Sequence, residues 1–176
     1  MENTREYTKE EKKTQKIFRA WSEINLNALE HNIAEIKKIL PEGCKIMAVV
    51  KANAYGHGDL VISNYLNQIG IFSFAVATME EGIRLRKSGV KGKILILGYT
   101  PAPHAKEIAR YDLTQTIVDF THAKELAKTG ISLKVQIKID TGMHRLGISP
   151  DQKEDIVSLF FQPSFSICGM YTHLCA

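Results

Sequence analysis

Ala48-Val49-Val50-Lys51-Ala52-Asn53-Ala54-Tyr55-Gly56-His57-Gly58 ends an apolar run on a lysine and follows it with a loop containing two glycines. The run over residues 44–50, bounded by turn residues, predicts a parallel strand buried on both faces. A lysine at the end of such a strand needs a chemical reason. Desolvation disfavours the ammonium and yields the neutral amine, the form that attacks an aldehyde. Gly56 and Gly58 permit close backbone approach to an anion, and Tyr55 offers a hydroxyl donor. The stretch also separates two fold classes. The phosphate-binding turn of a dinucleotide fold needs Gly-x-Gly-x-x-Gly after its opening strand, and this loop reads Lys-Ala-Asn-Ala-Tyr-Gly-His-Gly instead.

Downstream, helical and strand-like patterns alternate. Helices are predicted over residues 59–69, 79–87, 103–110, 121–128 and 151–160, and strands over 73–77, 93–97, 113–118, 133–139 and 165–171. Strict alternation argues for a parallel sheet, and the missing dinucleotide turn favours a barrel. The expected fold is therefore α/β, a (β/α)8 TIM-type barrel with about six of its eight strand-helix units present. Upstream, residues 21–26 alternate like a strand. Asn27 offers an N-cap for a helix with apolar positions Leu29, Ile33, Ile36 and Leu40, ended by Pro41 and Gly43. Residues 1–17 read as a polar arm, disordered or linker-like, and residues 18–176 as the partial barrel domain.

Composition narrows the function classes. With 176 residues and 44% hydrophobic content, the chain suits one domain with a real core. The net charge of +4 is spread along the sequence with acidic residues near most basic clusters, which argues against a nucleic-acid partner. The polar N-terminus excludes a secretory signal, and the stretch from Ile156 onward is too polar for a membrane span. Cys44, Cys168 and Cys175 form no redox or zinc spacing, which fits a reduced, cytoplasmic setting. His31, His104 and His122 read as surface or core residues without metal-ligand spacing.

Two further segments can carry chemistry. Over residues 135–140 apolar and polar residues alternate, so Gln136, Lys138 and Asp140 share one strand face. In a barrel the apolar face meets the outer helices and this polar face points inward at the rim; a half-exposed antiparallel strand shows the same alternation. Arg145 follows on a loop between Gly142 and Gly147, where its planar fork can meet a carboxylate or phenolic oxygen. His173 ends the last strand. From residue type alone, a solvated arginine and a packing histidine explain these two positions equally well.

Three motifs, Ala-Val-Val-Lys-Ala-Asn-Ala-Tyr-Gly-His-Gly, Lys138-Ile139-Asp140-Thr141-Gly142-Met143-His144-Arg145-Leu146-Gly147 and Tyr171-Thr172-His173, resemble those of the alanine racemases. Trp21-Ser22-Glu23-Ile24 and Ala75-Val76-Ala77-Thr78-Met79-Glu80-Glu81-Gly82 extend the resemblance, which runs from about Arg19 to the end of the chain. It implies pyridoxal 5′-phosphate as cofactor, bonded covalently to Lys51, which later serves as one of two acid–base groups. It further implies that Tyr55 binds the cofactor phosphate and that Arg145 contacts the phenolic oxygen and the substrate carboxylate. His173 lies beside the pyridine ring, and Lys138 matches a position open to carbamylation. The same resemblance implies a homodimeric parent acting on a small amino acid, alanine or serine. Its remaining strands and a C-terminal β domain are not among these residues, so the chain alone is expected to be inactive. A serine racemase domain of a membrane-linked glycopeptide-resistance protein is one alternative. A basic amino-acid decarboxylase and a truncated, non-catalytic product are others. The two glycine-containing loops favour the racemase over the decarboxylase.

Overall fold

The computed structural model describes residues 22–174, so the expected polar arm, Trp21 and Cys175 lie outside the described residues. Helix α1 (Leu26–Ile39) precedes β1 (Ala48–Val49), and the chain then alternates strictly: α2 (Asp59–Gln68), β2 (Ser73–Val76), α3 (Met79–Lys87), β3 (Lys93–Ile96). It continues through α4 (Ala105–Arg110), β4 (Thr114–Ile117), α5 (Phe120–Lys128), β5 (Leu133–Lys138), α6 (Lys153–Leu159) and β6 (Phe165–Tyr171).

All neighbouring strands pair in parallel, and their spatial order is their sequence order, β1-β2-β3-β4-β5-β6. A doubly wound sheet reverses direction about its first strand, so this order is that of a barrel wall. The sheet is an incomplete TIM-type barrel, with β1 and β6 as its edges among the described residues. The main core lies between sheet and helices. Phe74, Val76, Ile94, Ile96, Ile117, Val135 and Ile137 meet Leu66, Leu85, Ile108 and Leu126 there, all buried. Fully burying each such side chain contributes roughly 1.5–3 kcal/mol. The alternate residues face the other way and form the inner wall.

Four local expectations are corrected. Residues 22–25 form no strand; Asn25, not Asn27, caps α1, its Oδ1 accepting the Ala28 N–H at 3.0 Å. Starting the helix at Leu26 adds that leucine to the stripe of Leu29 and Ile33 that packs on the core. Strand β1 is only Ala48–Val49 rather than residues 44–50, because Ala48 already pairs with Phe74, one residue after β2 begins. Helix α6 is shorter than residues 151–160 at both ends.

Candidate active site

Lys51 lies one residue beyond β1, after Val50, at the C-terminal rim of the sheet. The next four residues adopt left-handed backbone, with φ of 51° at Ala52, 56° at Asn53, 51° at Ala54 and 55° at Tyr55. Such a conformation costs about 1–2 kcal/mol per L-residue, so consecutive examples need outside support. The composition limits the strain: no residue of Ala-Asn-Ala-Tyr is β-branched, and asparagine tolerates this region well. Gly56 and Gly58 continue at φ 90° and 91°, with open space where a Cβ would sit. Their requirement is conformational rather than steric. The turn closes on itself through Ala54 N–H to Val50 O at 2.9 Å and Gly58 N–H to Asn53 O at 2.9 Å. Asn53 Oδ1 accepts the first N–H of α2, from Asp59, at 3.1 Å.

The inner wall forms a cavity of about 530 Å³ at this rim. Val49, Ala75, Ala77, Leu95 and Leu97 supply apolar walls, while Lys51, Tyr55, Gln136, Lys138, Arg145 and His173 supply polar groups. All five residues named from sequence as site candidates, Lys51, Tyr55, Lys138, Arg145 and His173, therefore line one cavity. The described residues give the Lys51 ammonium no hydrogen bond or ion pair; its ring contact is Tyr55, 5.9 Å from the centroid. Asp140 behaves differently from its strand-mates. Its carboxylate accepts N–H groups of Gly142 at 3.1 Å and His144 at 3.0 Å and contacts the His144 ring at 3.1 Å. Those backbone bonds hold it below the usual carboxylate range. Asp140 thus shapes the loop that presents Arg145, instead of pointing inward as alternation predicted.

That loop is closed at its base. Asp140 N–H bonds Ile148 O at 3.0 Å, Ile148 N–H bonds Lys138 O at 2.9 Å, and Gly147 N–H bonds Val118 O at 2.9 Å. A Cβ on Gly147 would lie 2.7 Å from the Asp140 nitrogen, so only glycine fits. Thr172 ties the β6 end to this loop, donating to Ile139 O at 2.9 Å and meeting Thr141 Oγ1 at 2.7 Å. These bonds bring His173 to the cavity.

Lys138 is 8% exposed; its Nζ donates to Ile139 O at 2.9 Å and lies 5.7 Å from the Tyr171 ring centroid. Burial pulls its ammonium below the ordinary lysine range, Asp140 opposes this, and the Arg145 charge adds to it. Burial also raises the Tyr171 phenol, partly offset by its 3.0 Å bond with Thr116.

Glu81 did not stand out in the sequence as a site residue. Thr78-Met79-Glu80-Glu81 reads as a capping box, which predicts that the Glu81 carboxylate returns to the Thr78 N–H. Half of that box forms, with Thr78 Oγ1 accepting the Glu81 N–H at 3.4 Å. The carboxylate instead accepts Ala52 N–H at 2.8 Å and Ala77 N–H at 2.7 Å, bridging the ends of β1 and β2 beside Lys51.

The alanine racemase N-terminal domain family matches residues 24–176. An amino-acid racemase of Enterococcus faecalis is 50% identical over 96% of this chain and 24% of its own length. A serine/alanine racemase of Enterococcus gallinarum is 47% identical over 93% of this chain and 23% of its own. Among solved structures, alanine racemase of Clostridium difficile 630 in complex with cycloserine superposes with a TM-score of 0.81 at 34% identity, covering 87% of this chain and 44% of that one. The chain thus spans about a quarter of the two Enterococcus racemases and under half of the solved one. A match over all but the first residues of the chain, joined to the parallel wall and the cavity at its rim, makes this chain a member of the alanine racemase N-terminal domain family.

Proposed function

We propose that the chain is part of a pyridoxal 5′-phosphate-dependent racemase that interconverts L- and D-alanine, supplying the D-isomer for cell-wall precursors. The observation that carries this reading is the Lys51 amine, free of hydrogen bonds and ion pairs among the described residues, in a cavity shared with Tyr55, Arg145 and His173. The donor set suits the cofactor: an amine for its aldehyde, Tyr55 for its phosphate, Arg145 for its phenolic oxygen, and apolar walls for its ring. The cavity volume lies within the range of small-molecule sites, about 300–1,000 Å³.

When bound, the cofactor supplies an electron sink for the charge left at the substrate α-carbon. Lys51 Nζ moves the α-proton on one face, and Arg145 orients the substrate carboxylate. His173, which lines the same cavity, would lie beside the cofactor ring. We assign the base on the opposite face to the partner subunit of a homodimer, so the 176-residue chain alone is expected to bind cofactor without racemising. Carbamylation of Lys138 would convert its repulsion of Arg145 into attraction; a bicarbonate-dependent mass increase on intact protein tests it. Exposed, unpaired Cys44 and Cys168 agree with a reduced, cytoplasmic setting.

Borohydride reduction with pyridoxal 5′-phosphate, followed by peptide mapping, is expected to label Lys51, and Lys51→Ala to abolish that label. Labelling confined to surface lysines would remove the basis of the proposal. A second reading, a racemase acting on serine as well, is favoured by the 47% identity to the serine/alanine racemase against 43% to an alanine racemase of Caldanaerobacter subterraneus. Relative turnover of L-serine and L-alanine by the full-length protein separates the two.

A further inference from the structure

We propose that Glu81 is a positioning residue for the Lys51 amine, aiming it into the cavity by pinning the peptide that follows it. This rests on the reading of Lys51 as the cofactor-bonding residue.

The direction of a side chain is set by the two peptide planes flanking its Cα. Ahead of Lys51, the Val50 carbonyl is held by the Ala54 N–H at 2.9 Å, and the Val50 N–H bonds Ala75 O at 2.9 Å. Behind it, the Ala52 N–H points at Glu81 Oε1, 2.8 Å away. With that carboxylate in place both planes are pinned. Without it, the second plane is free to rotate at the point where the left-handed segment begins, and relief of strain at Ala52 drives it to do so.

Glu81 also references the amine to the rest of the rim. Its Oε2 takes the Ala77 N–H at 2.7 Å, and Ala77 is a cavity wall. The Ala77 carbonyl accepts Gly98 N–H at 3.1 Å, and the Gly98 carbonyl accepts Gln115 Nε2 at 2.8 Å. One chain of hydrogen bonds therefore links the Lys51 turn to the ends of β2 and β3 and to Gln115 within β4. A second contact from the same helix secures the far end of the turn, where Arg84 pairs with the buried Asp59 carboxylate. Charge suits the role, since a carboxylate accepts backbone N–H groups more strongly than a neutral acceptor does.

The test compares wild type, Glu81→Gln and Glu81→Ala in the full 176-residue chain. Pyridoxal 5′-phosphate is the probe, trapped with borohydride, and the Lys51 adduct is measured against the Lys138 adduct from the same molecules. Glu81→Gln keeps one acceptor oxygen and turns an amide donor toward the other N–H. The Lys51-to-Lys138 ratio is expected to fall about tenfold in Glu81→Ala and less in Glu81→Gln, consistent with the cost of small misplacements. An unchanged ratio overturns the proposal, and so does an equal loss at both lysines, which marks general loosening of the cavity. Absence of any wild-type Lys51 adduct refutes the cofactor reading instead. Amide exchange then decides on Glu81 alone: selective acceleration at Ala52 over Ala54 in Glu81→Ala supports the pin, and equal rates refute it.

Discussion

Helix α3 reaches both rims of the sheet, and its two ends serve different purposes. At the N-terminal rim, the Arg86 guanidinium donates to Tyr111 O and Val90 O at 3.0 Å, and to Gly92 O at 3.0 Å and Asp112 O at 2.9 Å. Two loops that enter β3 and β4 are thereby stapled, and four of the five guanidinium N–H donors are used. At the C-terminal rim, Glu81 supports the start of four consecutive left-handed residues, and the neighbouring amine has no hydrogen bond or ion pair among the described residues. The placement follows the helix dipole, with the carboxylate in the first turn and the arginine in the last. One rim commits its polar groups to closure; at the other, a left-handed segment stands beside an amine that makes no hydrogen bond or ion pair among the described residues.

The largest effect is expected from Arg86→Ala, which orphans several carbonyls at once. It should cost about 3 kcal/mol in urea denaturation, with Arg86→Lys recovering part of the loss. The Lys51-to-Lys138 trapping ratio should stay at its wild-type value; a change would show that the two rims are coupled and break the comparison.

Lys138→Met sharpens it from the other side. Removing a buried charge at the C-terminal rim should raise stability by about 1 kcal/mol at neutral pH, while arginine labelling at Arg145 reports the altered cavity. Between the depressed folded value of Lys138 and the ordinary lysine range near 10.5, the unfolded chain binds the extra proton. Wild type should therefore gain on Lys138→Met as pH rises through that window, read from paired urea midpoints.

The smallest effect concerns His122, 1% exposed, whose ring packs at a tilt against Tyr99 with centroids 4.6 Å apart and whose Nε2 meets Thr100 O at 3.0 Å. Burial lowers its affinity for a proton, against raising contributions from Thr100, Asp119 and Glu125. The unfolded chain then binds the proton first, so stability falls as pH drops below the ordinary histidine range, about 6.5. His122→Gln should lose less between pH 7 and pH 5 in the same assay, and equal losses would remove His122 from the account.

Much of this organisation was legible before the structure. The alternation of strand and helix from Val50 onward and the non-dinucleotide loop pointed to a barrel wall, because each period reflects which face of an element is buried. The site candidates Lys51, Tyr55, Lys138, Arg145 and His173 meet at one cavity because each lies at or just beyond the C-terminal end of a parallel strand. The misses were local competitions. Asn25 and Asn27 are equally good caps in isolation, and packing of Leu26 chose between them. Asp140 had the parity of an inward residue, but the strand ended before it and nearby N–H groups of its own loop captured the carboxylate.

Local sequence thus determined the elements, their order and which side chains reach the rim, since those depend on periodicity and on residues near one another in the chain. Tertiary structure decided the left-handed course after Lys51 and the destination of the Glu81 carboxylate. Both arise from a contact 29 residues apart in the chain. The physical reason is that a capping box and a strained turn are each satisfiable alone in other ways, and only the parallel pairing of β1 with β2 brings the Ala52 and Ala77 N–H groups within reach of one carboxylate.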